Sequence, residues 1–186
     1  MTEHFDVVDE NDLPTGAITT KEEAHNNAIP HRVVAVLVFT PAGKLIIQEH
    51  RSFNRLLDHS VGGHVSAGES YAEAASREVR EELDLTVELK EVALSVPAFG
   101  KDPRPQFSNI IHFYGVYKTE IPGDWKFVEN DEVDSIIEMT IDEVVDDMNN
   151  NPEKYLNGFF ATLDAYLKSI SSQKRIKAFG QDWSEL

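Results

Sequence analysis

The chain has 186 residues, 41% of them hydrophobic, which is enough for one full core and predicts a single domain over residues 1–186. Asp and Glu number 33 against 17 Lys and Arg, so the formal net charge of −16 repels a nucleic acid polymer, and the absence of cysteine excludes disulfides, thiolate metal sites and Cys nucleophiles. No apolar run reaches the roughly 18–20 residues of a membrane span, and the opening MTEHFDVVDENDLP lacks the basic and apolar regions of a secretory signal, so the expected location is cytoplasmic, without membrane contact.

In chain order, FDVVDENDLPTGAITT reads as an N-terminal hairpin over 5–20, punctuated by Asn11, Asp12, Pro14 and Gly16. TKEEAHNNA follows as a brief polar helix. Val33 to Phe39 is a near-continuous apolar run, and Pro41-Ala42-Gly43 turns it back into Lys44 to Glu49. This predicts a second hairpin whose first strand is buried on both faces. FNRLLDHSVGGHVSAGE reads as a loop in which Gly62, Gly63 and Gly68 permit unusual backbone angles. Ser70-Tyr71-Ala72-Glu73 has capping-box spacing, which predicts a helix from about Tyr71 to Leu83. TVELKEVALSVPAFG and FSNIIHFYGVYKTE are predicted long strands on either side of KDPRPQ, and VDSIIEMT is a last strand. Thr140 to Glu143 opens another capped helix, and Asn151-Pro152 starts one more with Tyr155, Phe159, Leu163 and Tyr166 as its apolar stripe. These C-terminal helices span about 141–170, and the tail from Gln173 is polar. The fold class is α/β with a mixed β-sheet.

Glu78, Glu81 and Glu82 stand three and four positions apart on the predicted helix, where like charges repel. At about 100° per residue they share one arc, beside an apolar stripe of Tyr71, Ala72, Ala75, Val79 and Leu83. Ala74 lies in the acidic arc and leaves space above it. Arg77, with Glu73 at i−4 and Glu81 at i+4, is placed to orient a carboxylate. Oxygen ligands without thiols suit a hard divalent cation, Mg²⁺ or Mn²⁺, which would offset the repulsion and reach onto substrate phosphates. The turn at Gly62-Gly63 can bring a backbone carbonyl to the same ion.

Residues 63–85 resemble the Nudix box, G-x5-E-x7-R-E-U-x-E-E-x-G-U with U aliphatic, at Gly63, Glu69, Arg77, Glu78, Val79, Glu81, Glu82 and Leu85. Asp84 stands where the pattern has glycine; that glycine would end the helix in a left-handed conformation, which Asp tolerates at modest cost, so the departure bears on helix termination more than on chemistry. The resemblance implies a Nudix-type α/β/α sandwich and hydrolysis of a nucleoside diphosphate linked to another moiety. It implies metal ligands at Glu78 and Glu82, assisted by Glu81 and a carbonyl of Gly62 or Gly63, with Arg77 as their catalytic neighbour. The implied chemistry is metal-assisted substitution at phosphorus, in which a carboxylate accepts the proton of the attacking water. That base is either a box glutamate such as Glu78 or a glutamate of a later loop; FVENDEVDS supplies Glu129 and Glu132, and Glu132 is the candidate taken here.

HRVVAVLVF and SVGGHVSAGES resemble the isopentenyl diphosphate isomerase branch of the same superfamily. His31 and His64 match two of its metal-binding histidines, and His25 stands near a third at a spacing one residue short, which makes a candidate second metal site. That isomerase moves protons with a Cys and a Glu on opposite sides of a double bond, but here Gly62 takes the Cys position and Asn109 the Glu position. The resemblance therefore implies an isomerase-like Nudix hydrolase, with isomerisation, or binding of a nucleotide metabolite without catalysis, as alternatives. Arg51, Arg55 and Arg104, with Lys101, are candidates for phosphate contact, and Phe53, Phe99 and Phe107 for base stacking. The expected partner is a small diphosphate-containing molecule with Mg²⁺ or Mn²⁺ as cofactor, and a homodimer is compatible with it.

Overall fold

The computed structural model describes residues 2–50, 54–101, 109–129 and 133–176. Strands β1 (His4–Val8) and β2 (Pro14–Thr20) form the N-terminal hairpin, and α1 (Lys21–Asn27) follows. Buried Asp12 pins the hairpin turn, accepting from Arg32 Nε at 2.7 Å and from the Tyr71 hydroxyl at 2.9 Å. The centre of the sheet is β3 (His31–Phe39), antiparallel to β4 (Leu45–His50) and to β6 (Val61–His64), and parallel to β8 (Asn109–Glu120). Strand β7 (Lys90–Lys101) continues the sheet beyond β8, while β5 (Leu57–Asp58) and β9 (Val133–Met139) pair with β4.

Because side chains alternate along a strand, β3 feeds two separate cores. Val33, Ala35 and Leu37 meet α3 (Ile141–Asn150) and α4 (Asn157–Ser169) through Val144, Met148, Phe159 and Leu163. Val34, Val36 and Val38 meet α2 (Tyr71–Leu83) through Ala74, Ala75, Val79 and Leu83. Helices thus cover both faces of a mixed sheet, the expected α/β/α sandwich. Full burial of Val79 and Leu83 contributes roughly 1.5–3 kcal/mol each, so α2 is held against the sheet along its length.

Helix α2 begins and ends as its local sequence requires. The Ser70 hydroxyl accepts from Glu73 N at 3.3 Å, and the Glu73 carboxylate accepts from Ser70 N at 2.9 Å. Asp84 is left-handed at φ 51°, and its N–H returns to Arg80 O, so Asp does there what the box glycine would do.

Several expectations are corrected. The stretch read as a loop contains β5 and β6, and of its glycines Gly68 has a positive φ (79°) whereas Gly62 and Gly63 lie in extended β6. Ala72 is exposed and Ala74 is buried, so the apolar stripe is rotated toward the acidic arc and Ala74 leaves no open space. Strand β7 starts at Lys90, after Thr86 to Leu89. Pro152 opens a 3-10 turn, Pro152–Lys154, instead of the last helix, because Tyr155 and Leu156 adopt extended angles before α4 begins. Among the described residues no helix is long and apolar enough to cross a membrane.

Candidate functional site

Strand β6 carries the site. Its register against β3 places Gly63 opposite Val34, on the α2 face, and Gly62 opposite Ala35, on the α4 face. A Cβ at Gly63 would fall inside the Glu78 carboxylate, with Oε2 at 2.6 Å. A Cβ at Gly62 would fall on the His59 ring, with Cδ2 at 3.0 Å. Close approach, and no special φ, is therefore what requires glycine at both positions. Gly62 N–H donates to Glu82 Oε1 at 3.2 Å, and Gln48 Nε2 donates to Glu82 Oε2 at 2.6 Å. Glu82 is 8% exposed, while the Glu81 side chain is 59% exposed, so two adjacent acids of one box occupy different dielectrics.

Arg77 joins the box to the sheet. Its guanidinium bonds Glu69 Oε1 and Oε2 at 3.0 Å each, Glu78 Oε1 at 2.6 Å, Glu81 Oε2 at 3.1 Å and the His64 carbonyl at 2.9 Å. Glu73 is not a partner in this set, because its carboxylate is spent on the Ser70 cap. The Glu69 bonds, then burial acting against them, set the Arg77 pKa above its ordinary value. Burial opposes the Glu69 charge, yet the Arg77 bonds and the Ser66 N–H outweigh it and hold that carboxyl below its usual range.

On the opposite face, His25, His31, His64 and His112 bring ligand nitrogens within 4.8 Å of one another. The pairing of β3 with β8 sets His31 beside His112, that of β3 with β6 sets His64 beside Val33, and α1 contributes His25. His25 Nε2 and His64 Nε2 are 3.2 Å apart. His31 Nδ1 donates to Ile29 O at 2.8 Å, which leaves Nε2, fully buried and without a hydrogen-bond partner, as the atom facing the group. Phe5 stacks on His64 and His31 at 4.6 and 5.4 Å. Burial lowers His31 to about 4, against the pull of the Ile29 carbonyl, and lowers His64 well below its ordinary value. Neutral imidazoles are the metal-ligating form, so the donor set fits a borderline transition ion such as Zn²⁺.

The structure brings the expected His25, His31 and His64 together, and the box carboxylates Glu78 and Glu82 against β6. Arg55 pairs with Glu49 at 3.0 Å on an exposed turn, and Glu129 is exposed after β8. Glu132, Arg51, Arg104, Phe53 and Phe107 lie outside the described residues, as do the side chains of Lys101 and Asn109. Sequence reasoning missed His112, Gln48 and His59. For His112 and Gln48 the available signal was a polar residue inside an apolar strand, IIHFYG and LIIQEH; His59 carried no such signal.

Known proteins resemble this chain in sequence and in fold. The NUDIX domain family matches residues 29–159. An isopentenyl-diphosphate Delta-isomerase of Pectobacterium atrosepticum is 30% identical over 90% of this chain and 95% of its own length. A Nudix hydrolase of Nostoc sp. is 38% identical over 47% of this chain and 54% of its own length. A crystal structure from Deinococcus radiodurans shares the fold with a TM-score of 0.66 at 24% identity, covering 92% of this chain and 99% of that one. With residues 29–159, most of its length, matched, the chain belongs to the NUDIX domain family.

Proposed function

We propose that this chain is a divalent-metal-dependent hydrolase that cleaves the diphosphate linkage of a nucleoside diphosphate derivative. The observation that carries this reading is the convergence of Glu78 and Glu82 on the Gly62-Gly63 strand, where no side chain intervenes. Glu78 and Glu82, with Glu81 and a carbonyl of Gly62 or Gly63, would hold Mg²⁺ or Mn²⁺. Such an ion, when bound, supplies charge neutralisation at diphosphate oxygens and an acidified water. Arg77 keeps Glu78 and the Glu69 loop in register with β6, and a carboxylate, Glu78 or Glu132, accepts the proton of the attacking water. Arg51, Arg55 and Arg104 are the candidate contacts to the phosphates.

A second reading, isomerisation of isopentenyl diphosphate, is favoured by the histidine group and by similarity along the full length of an isomerase. It ranks lower because Gly62 offers no proton-transferring side chain and the chain has no cysteine. The test is a panel of nucleotide sugars, dinucleoside polyphosphates, NADH and coenzyme A with Mg²⁺ or Mn²⁺, followed by product analysis. Glu82→Gln should lower kcat by at least about 100-fold. Full activity in EDTA or in that variant overturns the hydrolase reading, and conversion of isopentenyl to dimethylallyl diphosphate by the unaltered chain promotes the second.

A further inference from the structure

Gln48 is 1% exposed on β4, a strand otherwise apolar from Leu45 to Ile47. A buried carboxamide is costly unless its hydrogen bonds are made. Here Nε2 lies 2.6 Å from Glu82 Oε2 and 2.5 Å from Ser60 O. Both neighbours are acceptors, so the amide nitrogen must face them and each of its hydrogens has a use. Ser60 is itself anchored: its hydroxyl accepts from Val38 N at 2.8 Å and donates to Ile46 O. With Gly62 N–H on Oε1, the two oxygens of Glu82 are each met by a donor, one from β4 and one from β6.

We infer that Gln48 is a positioning residue that presets the Glu82 carboxylate for a divalent cation; this rests on the reading of Glu82 as a metal ligand. An arginine or lysine at 48 would neutralise the charge the cation needs, and an acid would repel Glu82 across a buried gap. A neutral donor orients the carboxylate and leaves its charge intact. Partners of this kind, one shell out from an ion, set its affinity by about 10–100-fold.

The experiment is a double-mutant cycle read by Mn²⁺ electron paramagnetic resonance, with Kd measured for the unaltered chain, Gln48→Met, Glu82→Gln and the double variant. Gln48→Met should raise Kd by about tenfold. Adding it to Glu82→Gln should change nothing further, because Gln48 acts through Glu82. Gln48→Asn, which keeps an amide near Ser60 O but draws it back from Glu82, should weaken Mn²⁺ binding similarly and serves if the methionine variant does not fold. Unchanged Kd in the folded single variants, or effects that multiply in the double, overturns the inference. If Glu82→Gln alone leaves Kd unchanged, the assignment of Glu82 as a ligand fails and the inference falls with it.

Discussion

Gly63→Ala puts the close approach of β6 to α2 under direct test. Gly63 lies in extended β6 without a positive φ, so alanine fits the backbone and removes unfolded-state freedom worth about 0.4–1 kcal/mol. Its Cβ, however, would stand 2.6 Å from Glu78 Oε2 and closer still to Oε1. An ordinary C···O approach is about 3.3 Å, and the nearer oxygen, Oε1, sets the movement, so the carboxylate must retreat by more than about 1 Å. That movement stretches the 2.6 Å bond to Arg77, a partly exposed ion pair worth about 0.2–1 kcal/mol. The two terms offset to within about 1 kcal/mol, which is a Tm change of a few degrees in either direction. Catalysis has no such compensation, because displacing a positioned group by about 1 Å costs on the order of 100-fold in rate. The assay is kcat with Mn²⁺ on a diphosphate substrate, paired with melting in the presence and absence of the ion. A variant with unchanged kcat and an unchanged Mn²⁺-induced rise in Tm would refute a role for Glu78 at this spot, and outright loss of the fold would refute the energetic argument.

Gly62→Cys should cost about 1–3 kcal/mol in a urea titration, because the new Cβ would meet His59 Nε2, with Cδ2 and Cε1 at 3.0 and 3.2 Å, and the ring already lies against Asp58, Nδ1 to Oδ1 2.6 Å. It should not convert isopentenyl diphosphate, and normal stability or any turnover would contradict this. His31 is held near 4 by burial, against 6.5 for the ordinary group, so the unfolded chain binds a proton that the fold refuses. Its stabilising contribution is full above about pH 6.5 and is lost as pH falls through about 4, on the order of 3 kcal/mol. In EDTA the urea midpoint should drop over that window, less steeply in His31→Phe, and a flat profile would sink the argument. Co²⁺ should give visible d–d absorption at the four imidazoles, weakened at least about tenfold by His112→Phe and unaffected by Glu82→Gln. The reverse pattern would move the colour to the carboxylates.

Local spacing made much of this protein legible. The limits of α2 follow from the Ser70–Glu73 cap and from apolar periodicity, both of which act within a few residues. The glutamates at 78, 81 and 82 share an arc for the same reason, since helix geometry alone sets it. Spacing failed where interactions cross between elements. Arg77 has Glu73 in helical reach, yet it bonds Glu69, because the cap consumes Glu73 and the loop folds Glu69 back onto the guanidinium. Gly62 and Gly63 read as flexible turn residues, whereas packing makes them places with no room for a Cβ. His112 joins His25, His31 and His64 only because β8 pairs in parallel with β3, residue opposite residue. Gln48 finds Glu82 because α2 packs over the face of β4 that carries it. A helix writes its contacts three and four residues apart, so sequence alone determined the acidic face; strand register is set by burying both faces of β3 at once, so only the tertiary structure decided what that face and the histidines meet.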